Sequence, residues 1–208
     1  KKFPERRFLV TEELPYYCGA EGNIRSYDTN NPWNIIAEND FIAGGFLWTG
    51  TDYIGEAGWP SHGWPAGLFD ICMVEKPRAA FHRANDEPIV RIAVRDNALD
   101  IDHGRDLWQW PNMAAIWNFP RAYEGLVIEV NTTTNCERVA LFHNGNEMGV
   151  RRTADYPNHT ITWCLPYRRG TLVAKGINGT DTVAVHEIRT AGDAVRLKAT
   201  ADRGKLMA

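Results

Sequence analysis

The stretch Phe41–Glu56 reads FIAGGFLWTGTDYIGE, and its two halves have opposite character. The first half, Phe41–Trp48, is a continuous apolar run, which is typical of a strand buried on both faces of a parallel sheet. The polarity then changes at Thr49, and Asp52 and Tyr53 follow. Because α/β barrels carry their active sites beyond the carboxyl ends of their strands, this pattern predicts a functional edge.

The sequence around this stretch alternates short strands with helices up to about residue 85. This order is typical of the βα units of a barrel or an open sheet. The loop 55–67, rich in Gly, Pro and Trp, is too long to be a mere connector. The predicted elements are strands at Phe8–Val10 and Leu68–Ile71 and helices at Pro32–Glu38 and Lys76–Ala84. So few strands cannot close a barrel, so we expect a segment of a longer protein.

The pattern changes from about Pro88 onward, where short strands follow one another without helices. Asn-Gly pairs at 144–145 and 178–179 predict tight hairpin turns. About seven short strands within about 100 residues are the signature of an immunoglobulin-like β-sandwich. The predicted strands are Ile89–Val94, Ala114–Phe119, Leu126–Val130, Arg138–Phe142, Thr160–Leu165, Thr171–Lys175 and Thr182–Ile188.

The composition excludes several classes of protein. The net charge is −3 with no basic block, so we expect no nucleic-acid partner. No apolar run approaches the roughly 18 residues of a membrane helix. The four cysteines have no CxxC spacing and the six histidines are scattered, so we predict no metal site. Cys136 and Cys164 are interpreted as buried free thiols, with a bridge between two strands as the alternative.

Five segments of the sequence resemble one enzyme family. They are RRFLVTEE (6–13), AGGFLWTGTDYIGE (43–56), WPAGLFD (64–70), IEVNTTTNCERVALFHNGNEMG (128–149) and ITWCLPYRRGTLVAKGINGTDTVAVHEIRTAG (161–192). The first three resemble the C-terminal end of the catalytic barrel of glycoside hydrolase family 2. The other two resemble the sandwich that follows it in bacterial β-galactosidase-like members, so the resemblance covers nearly the whole chain.

The resemblance implies an α/β plus all-β architecture in three parts. Residues 1–85 would be the last strands and helices of a (β/α)8 TIM barrel. Residues 86–190 would be the immunoglobulin-like β-sandwich, and residues 191–208 a linker and the start of a further module.

The resemblance also implies a retaining, exo-acting hydrolysis of terminal β-galactosides. Glu12, which follows Thr11 at a strand end, matches the family's nucleophile, whereas alternation points the neighbouring Glu13 elsewhere. A retaining mechanism needs a second carboxyl group about 5 to 5.5 Å away. In the family this acid/base Glu ends the fourth strand, which would precede Lys1, so the segment alone is predicted to be inactive. Without the family match, Glu12 and Glu13 would be solvated acids at a loop start.

Four further residues are candidate substrate ligands, each with a structural alternative. Trp48 offers a flat apolar face to a sugar ring, or it caps the barrel core. Asp52 accepts hydrogen bonds from sugar hydroxyls, or it caps the loop. Arg25 faces a carboxylate of a uronate substrate or of the protein itself. Trp64 lies in the long loop with Trp59 and His62, where exposed tryptophans form sugar subsites or Trp-Pro pairs stiffen the loop.

A second aromatic cluster consists of Trp108, Trp110 and Trp117, near Asp102 and His103. We interpret it as packing of the sandwich against the barrel, with a sugar platform as the alternative.

The remaining expectations concern partners and alternatives. The implied partners are a carbohydrate substrate and the rest of the barrel, with homo-oligomerisation open and no membrane partner. No cofactor is evident, although family members bind Mg²⁺ or Na⁺ through ligands that would lie outside this chain. A periplasmic or secreted location is expected rather than a cytoplasmic one. The alternative functions are β-glucuronidase, β-mannosidase, and a non-catalytic carbohydrate-binding or structural module.

Overall fold

A computed structural model describes most of the chain, and the described residues form β-strands and a short α-helix. It describes residues 6–13, 36, 39–56, 58–59, 62–65, 67–83, 87–95, 113–156, 159–193, 195–198 and 200. The strands are β1 (Phe8–Glu13), β2 (Ile42–Leu47), β3 (Tyr53–Ile54), β4 (Gly63–Trp64), β5 (Val90–Arg95), β6 (Met113–Ala114), β7 (Val127–Thr134), β8 (Arg138–His143), β9 (Asn146–Arg152), β10 (Thr160–Pro166), β11 (Thr171–Asn178) and β12 (Asp181–Arg189). The helix is α1 (Pro77–Arg83).

The first two strands form a parallel pair, as the sequence predicted for the apolar run. Phe8 lies opposite Ile42, and Glu13 lies opposite Leu47. The predicted burial of both faces is wrong for the described residues, since the Phe46 side chain is 63% exposed. The reason is that the described part of the chain places no third strand beside this pair. The assignment of residues 1–85 to a TIM barrel therefore stays a prediction.

The second half is a sandwich of two four-stranded antiparallel sheets, as predicted. Their strand orders are β10-β7-β5-β6 and β12-β11-β8-β9. Inward-facing side chains of both sheets form one apolar core, which contains the fully buried Trp117, Trp163 and Tyr167. Alternation along β10 explains the pattern, since Trp163 and Leu165 point inward whereas Cys164 between them is exposed.

Two of the sandwich strands differ from the sequence-based prediction. The strand expected at Ala114–Phe119 is reduced to Met113–Ala114, and the following residues run irregularly into the core. Trp117 fills that core, and its indole N–H donates to the Arg168 carbonyl at 3.0 Å. It therefore packs inside the sandwich, not against the barrel as predicted. Strand β9 was not predicted because its side chains are mostly exposed and polar, which conceals the period of an edge strand.

Several local predictions can be compared directly with the structure. Asn144 and Gly145 both have positive φ (50° and 80°), which the tight β8–β9 hairpin requires. Helix α1 confirms the helix predicted at Lys76–Ala84. The strand predicted at Leu68–Ile71 is only an isolated bridge at Phe69. The helix predicted at Pro32–Glu38 lies outside the described residues, apart from Ile36.

The described cysteines carry no disulfide bond. Cys72, Cys136 and Cys164 are free thiols, so the Cys136–Cys164 bridge does not form. The expectation of burial holds for Cys136 and is wrong for Cys164, whose side chain projects away from the core. Within the described residues, no helix has the length and hydropathy that crossing a membrane requires.

The burial of Trp117 predicts a large loss of stability when its side chain is removed. Trp117→Ala should lower the free energy of unfolding by about 3–5 kcal/mol, because it leaves a cavity in the core. Trp59→Ala is the matched control, since that side chain is 87% exposed and should change stability little. Urea denaturation followed by circular dichroism measures both variants. Equal effects would show that Trp117 does not anchor the core.

Candidate functional site

The candidate site lies where the parallel strands β1 and β2 end. Glu12 is exposed at the end of β1, and Trp48 directly follows β2. Because the two strands run in the same direction, both residues emerge at the same edge. The pairing between Val10 and Glu13 is irregular, so Glu12 lies where the regular ladder is interrupted.

Trp48, Tyr53 and Glu56 form a contact chain at this edge. The rings of Trp48 and Tyr53 meet edge to face with centroids 6.1 Å apart, and Trp48 is 41% exposed. The Tyr53 hydroxyl donates to Glu56 Oε2 at 2.7 Å. The apolar ring face expected at Trp48 is therefore present beside two polar groups.

The pKa of Tyr53 depends on charges inside and outside this contact chain. The hydrogen bond to the Glu56 carboxylate, with partial burial and the charge of that carboxylate, raises the pKa of Tyr53. A hydrogen bond from Trp48 acts in the opposite direction. The negative charge of Glu12 contributes to the same rise. Among these causes, the charge of Glu12 has the smallest effect on the pKa of Tyr53.

Asp52 is held by two donors from distant parts of the chain. Its Oδ1 accepts from the Gly67 backbone N–H at 2.8 Å and from Lys76 Nζ at 2.6 Å. This is the geometry of the loop cap that the sequence left as an alternative. The other oxygen, Oδ2, receives no hydrogen bond from the described residues and is not among their completely buried unpaired atoms, so it retains some contact with solvent. Its role toward a sugar stays a prediction.

Gly67 is required by the closeness of this contact. A Cβ atom at position 67 would lie 2.3 Å from the Asp52 backbone nitrogen and 2.7 Å from the Phe69 carbonyl oxygen. Both neighbours are backbone atoms that cannot rotate away. Only glycine therefore allows the loop to return so close to Asp52.

The hairpin β3–β4 shapes the long loop beside the site. It pairs Tyr53 with Trp64, so Trp64 lies half-buried next to the contact chain. Trp59 is 87% exposed, and its ring meets His62 edge to face at 5.5 Å. The most accessible aromatic surface of the loop is therefore Trp59 rather than Trp64.

Some predicted residues do not enter this site. Arg25, Trp108, Trp110, Asp102 and His103 lie outside the described residues. Trp117 is buried in the sandwich core, which also removes it from any sugar platform. Among the residues that the structure describes, no group of three or more His, Cys, Asp or Glu side chains could hold a metal ion.

The structure adds three residues that sequence reasoning missed. Glu56 binds Tyr53, Lys76 binds Asp52, and Gly67 closes the loop. The spacing of Tyr53 and Glu56 is short enough to have suggested their contact. The Lys76–Asp52 pair, in contrast, joins residues 24 positions apart.

A separate cavity of about 880 Å³ lies at one end of the sandwich. Its walls include Glu137, Arg138, Arg152, Tyr156 and His159. None of the strand-edge residues lines it. This cavity is therefore separate from the residues that the sequence predicts to be catalytic or substrate-binding.

Comparison with known proteins shows what the chain is similar to. A family model described as "Domain of unknown function (DUF4982)" matches residues 125–184. A protein of Formosa agariphila named "Putative beta-glucuronidase" is 30% identical over 156 residues, which cover 71% of this chain and 13% of that protein. "Beta-galactosidase BoGH2A" of Bacteroides ovatus is 28% identical over 179 residues, which cover 84% of this chain and 18% of that protein.

A solved structure resembles the chain over nearly its whole length. It is a glycosyl hydrolase family 2 member from Bacteroides cellulosilyticus, with a TM-score of 0.78 and 26% identity. The match covers 97% of this chain and 27% of that one. The chain thus spans between about an eighth and about a quarter of the length of these relatives. The resemblance predicted from the motifs is confirmed.

The contact between Tyr53 and Glu56 generates a prediction about titration. Glu56→Gln should lower the pKa of Tyr53 toward the ordinary value for tyrosine, because the anionic acceptor is lost. The difference in phenolate absorbance between variant and wild type, recorded against pH, measures this shift. Glu87→Gln removes another exposed carboxylate and should leave the titration unchanged. A Glu56 variant that titrates like the wild type would contradict the contact.

Proposed function

This chain is similar over most of its length to members of glycoside hydrolase family 2, and we propose that it contributes the nucleophile half of a retaining exo-β-glycosidase. The proposed substrates are terminal β-galactosides of oligo- or polysaccharides. The observation that carries the proposal is the placement of an exposed carboxylate, Glu12, at the strand edge that also presents Trp48.

In the proposed reaction Glu12 attacks the anomeric carbon of the sugar. The bond to the aglycone oxygen breaks as a Glu outside this chain gives that oxygen a proton. The product is a glycosyl–enzyme ester. The same outside residue, now a base, takes a proton from water, whose oxygen attacks the anomeric carbon and releases Glu12 as a carboxylate.

The neighbouring residues suit this chemistry. The partly exposed face of Trp48 can stack on the C–H face of a sugar ring. Oδ2 of Asp52 can accept a hydrogen bond from a sugar hydroxyl, since Oδ1 is already occupied. The exposed position of Glu12 suits a nucleophile, which must be ionised to attack.

The sugar specificity has two supported candidates. The similarity to a protein named as a β-galactosidase favours galactosides, whereas the similarity to one named as a β-glucuronidase favours glucuronides equally. A glucuronide carries a carboxylate that Arg25 would pair with. β-Mannosidase activity and a non-catalytic carbohydrate-binding module are the further alternatives.

The proposal includes the surroundings of the site. The rest of the barrel would supply the acid/base residue and any Mg²⁺ or Na⁺ ligands, and it would cover the exposed strand pair. The described residues alone would then be inactive. A periplasmic or secreted location and a possible homo-oligomer belong to the same proposal.

Substitution of the nucleophile tests the assignment. In the whole protein, Glu12→Gln should lower kcat by about a thousandfold or more, because the amide cannot form the glycosyl ester. Glu13→Gln is the matched control and should retain most activity. Thermal melts check that both variants fold. Near-normal turnover by the Glu12 variant would remove it from the mechanism.

Covalent trapping separates the substrate candidates. The whole protein is treated with a 2-deoxy-2-fluoro-β-galactoside that bears a good leaving group, and the labelled peptide is mapped by mass spectrometry. A label on Glu12 is the expected result. A label only from the matching glucuronide or mannoside reagent would keep the mechanism and change the substrate. Complete absence of labelling and turnover would favour the binding-module alternative.

A further inference from the structure

Lys76 connects two parts of the candidate site. Its ammonium group donates to Asp52 Oδ1 at 2.6 Å and to the Pro65 carbonyl oxygen at 2.9 Å. Asp52 follows β2, and Pro65 lies in the loop 55–67. We propose that Lys76 is a positioning residue, which orients the Asp52 carboxylate toward the substrate and fixes the loop beside it. This inference rests on the glycosidase function proposed above.

The burial of the pair indicates more than a surface contact. The side chains of Lys76 and Asp52 are only 20% and 14% exposed. Exposed ion pairs contribute little to folding stability. Removing one partner of a largely buried pair, in contrast, leaves an uncompensated charge and is strongly destabilising. Another ion pair among the described residues of this region, Arg83–Glu75 at 2.9 Å, is 53% and 29% exposed. The two pairs differ mainly in burial, which makes Arg83 a natural control.

The hydrogen bonds of Asp52 fix the orientation of its carboxylate, because both donors bind the same oxygen. Lys76 and Gly67 both bind Oδ1, so the carboxylate cannot turn without losing a charge-assisted hydrogen bond. Oδ2 accepts no hydrogen bond from the described residues and is not completely buried, which leaves it available to a ligand. A fixed acceptor discriminates between sugar hydroxyls better than one that rotates freely.

A backbone hydrogen bond and the helix that follows hold Lys76 in place. Its N–H donates to the Leu68 carbonyl at 2.9 Å, and helix α1 begins at the next residue. The buried residues Ala79 and Ala80 lie in this helix, and Ala80 packs with Ile89 just before β5. The lysine is therefore anchored between the Leu68 segment and the helix that packs against Ile89.

The test compares substrate selectivity in the whole protein. Lys76→Met, Lys76→Arg and Arg83→Met are assayed for kcat and KM on the best β-glycoside and on its series of monodeoxy analogues. In the wild type, one deoxy analogue should be disfavoured strongly, since it leaves Oδ2 without its hydroxyl partner.

The expected result is a loss that depends on one hydroxyl. Lys76→Met should lower kcat/KM by about 100-fold on the parent glycoside and by much less on that deoxy analogue. Lys76→Arg keeps the charge and should recover part of the loss. Arg83→Met should match the wild type. If Lys76→Met does not fold, as judged by thermal melts, Lys76→Arg decides, since it should still weaken the preference for that hydroxyl.

Other outcomes overturn the inference in distinguishable ways. An equal loss on every analogue would make Lys76 a merely structural residue. Kinetics of Lys76→Met equal to those of Arg83→Met would remove it from the site. If the wild-type protein neither hydrolyses a β-glycoside nor takes a label on Glu12, the proposed function fails, and the role of Lys76 fails with it.

Discussion

The parallel pairing of β1 and β2 is the constraint on which the candidate site depends. Parallel strands end at the same edge, so a carboxylate that ends one strand and an indole that follows the other emerge together. In an antiparallel pair the same residues would lie at opposite ends. The register that places Glu13 opposite Leu47 also sets the depth at which Glu12 and Trp48 emerge. The spatial relation between nucleophile candidate and ring is thus a property of the backbone ladder.

The loop beyond this edge is stabilised by polar contacts rather than by an apolar core. Asp52 accepts hydrogen bonds from the Gly67 backbone N–H and the Lys76 ammonium group, and the Tyr53 hydroxyl donates one to Glu56. Charge-assisted hydrogen bonds of this kind fix direction as well as distance. They would suit the proposed sugar site, which must remain open to solvent and still keep one conformation. The absence of a side chain at Gly67 is what permits the closest of these approaches.

The sandwich, in contrast, is stabilised mainly by an apolar core. Its core is closed by large side chains from both sheets, and Trp117 enters it from an irregular segment. A buried indole is tolerated because its N–H finds the Arg168 carbonyl, which avoids an unsatisfied donor. Helix α1 packs against Ile89, just before β5. The helix begins one residue after Lys76, which pairs with Asp52. The polar contacts of the strand edge are thus linked, through this helix, to the well-packed sandwich.

The sequence by itself determined the local elements and the residue types at the strand edge. Alternation and Asn-Gly turns predicted most sandwich strands, and the motifs around Glu12 and Trp48 predicted the family. Only the tertiary structure decided what depends on distant partners. Asp52 meets a lysine 24 residues away, Trp117 enters the sandwich core without a strand, and β9 forms although its side chains face solvent. The reason is physical: periodicity records which face of an element is buried, whereas ion pairs, close backbone approaches and edge strands depend on which elements the completed fold brings together.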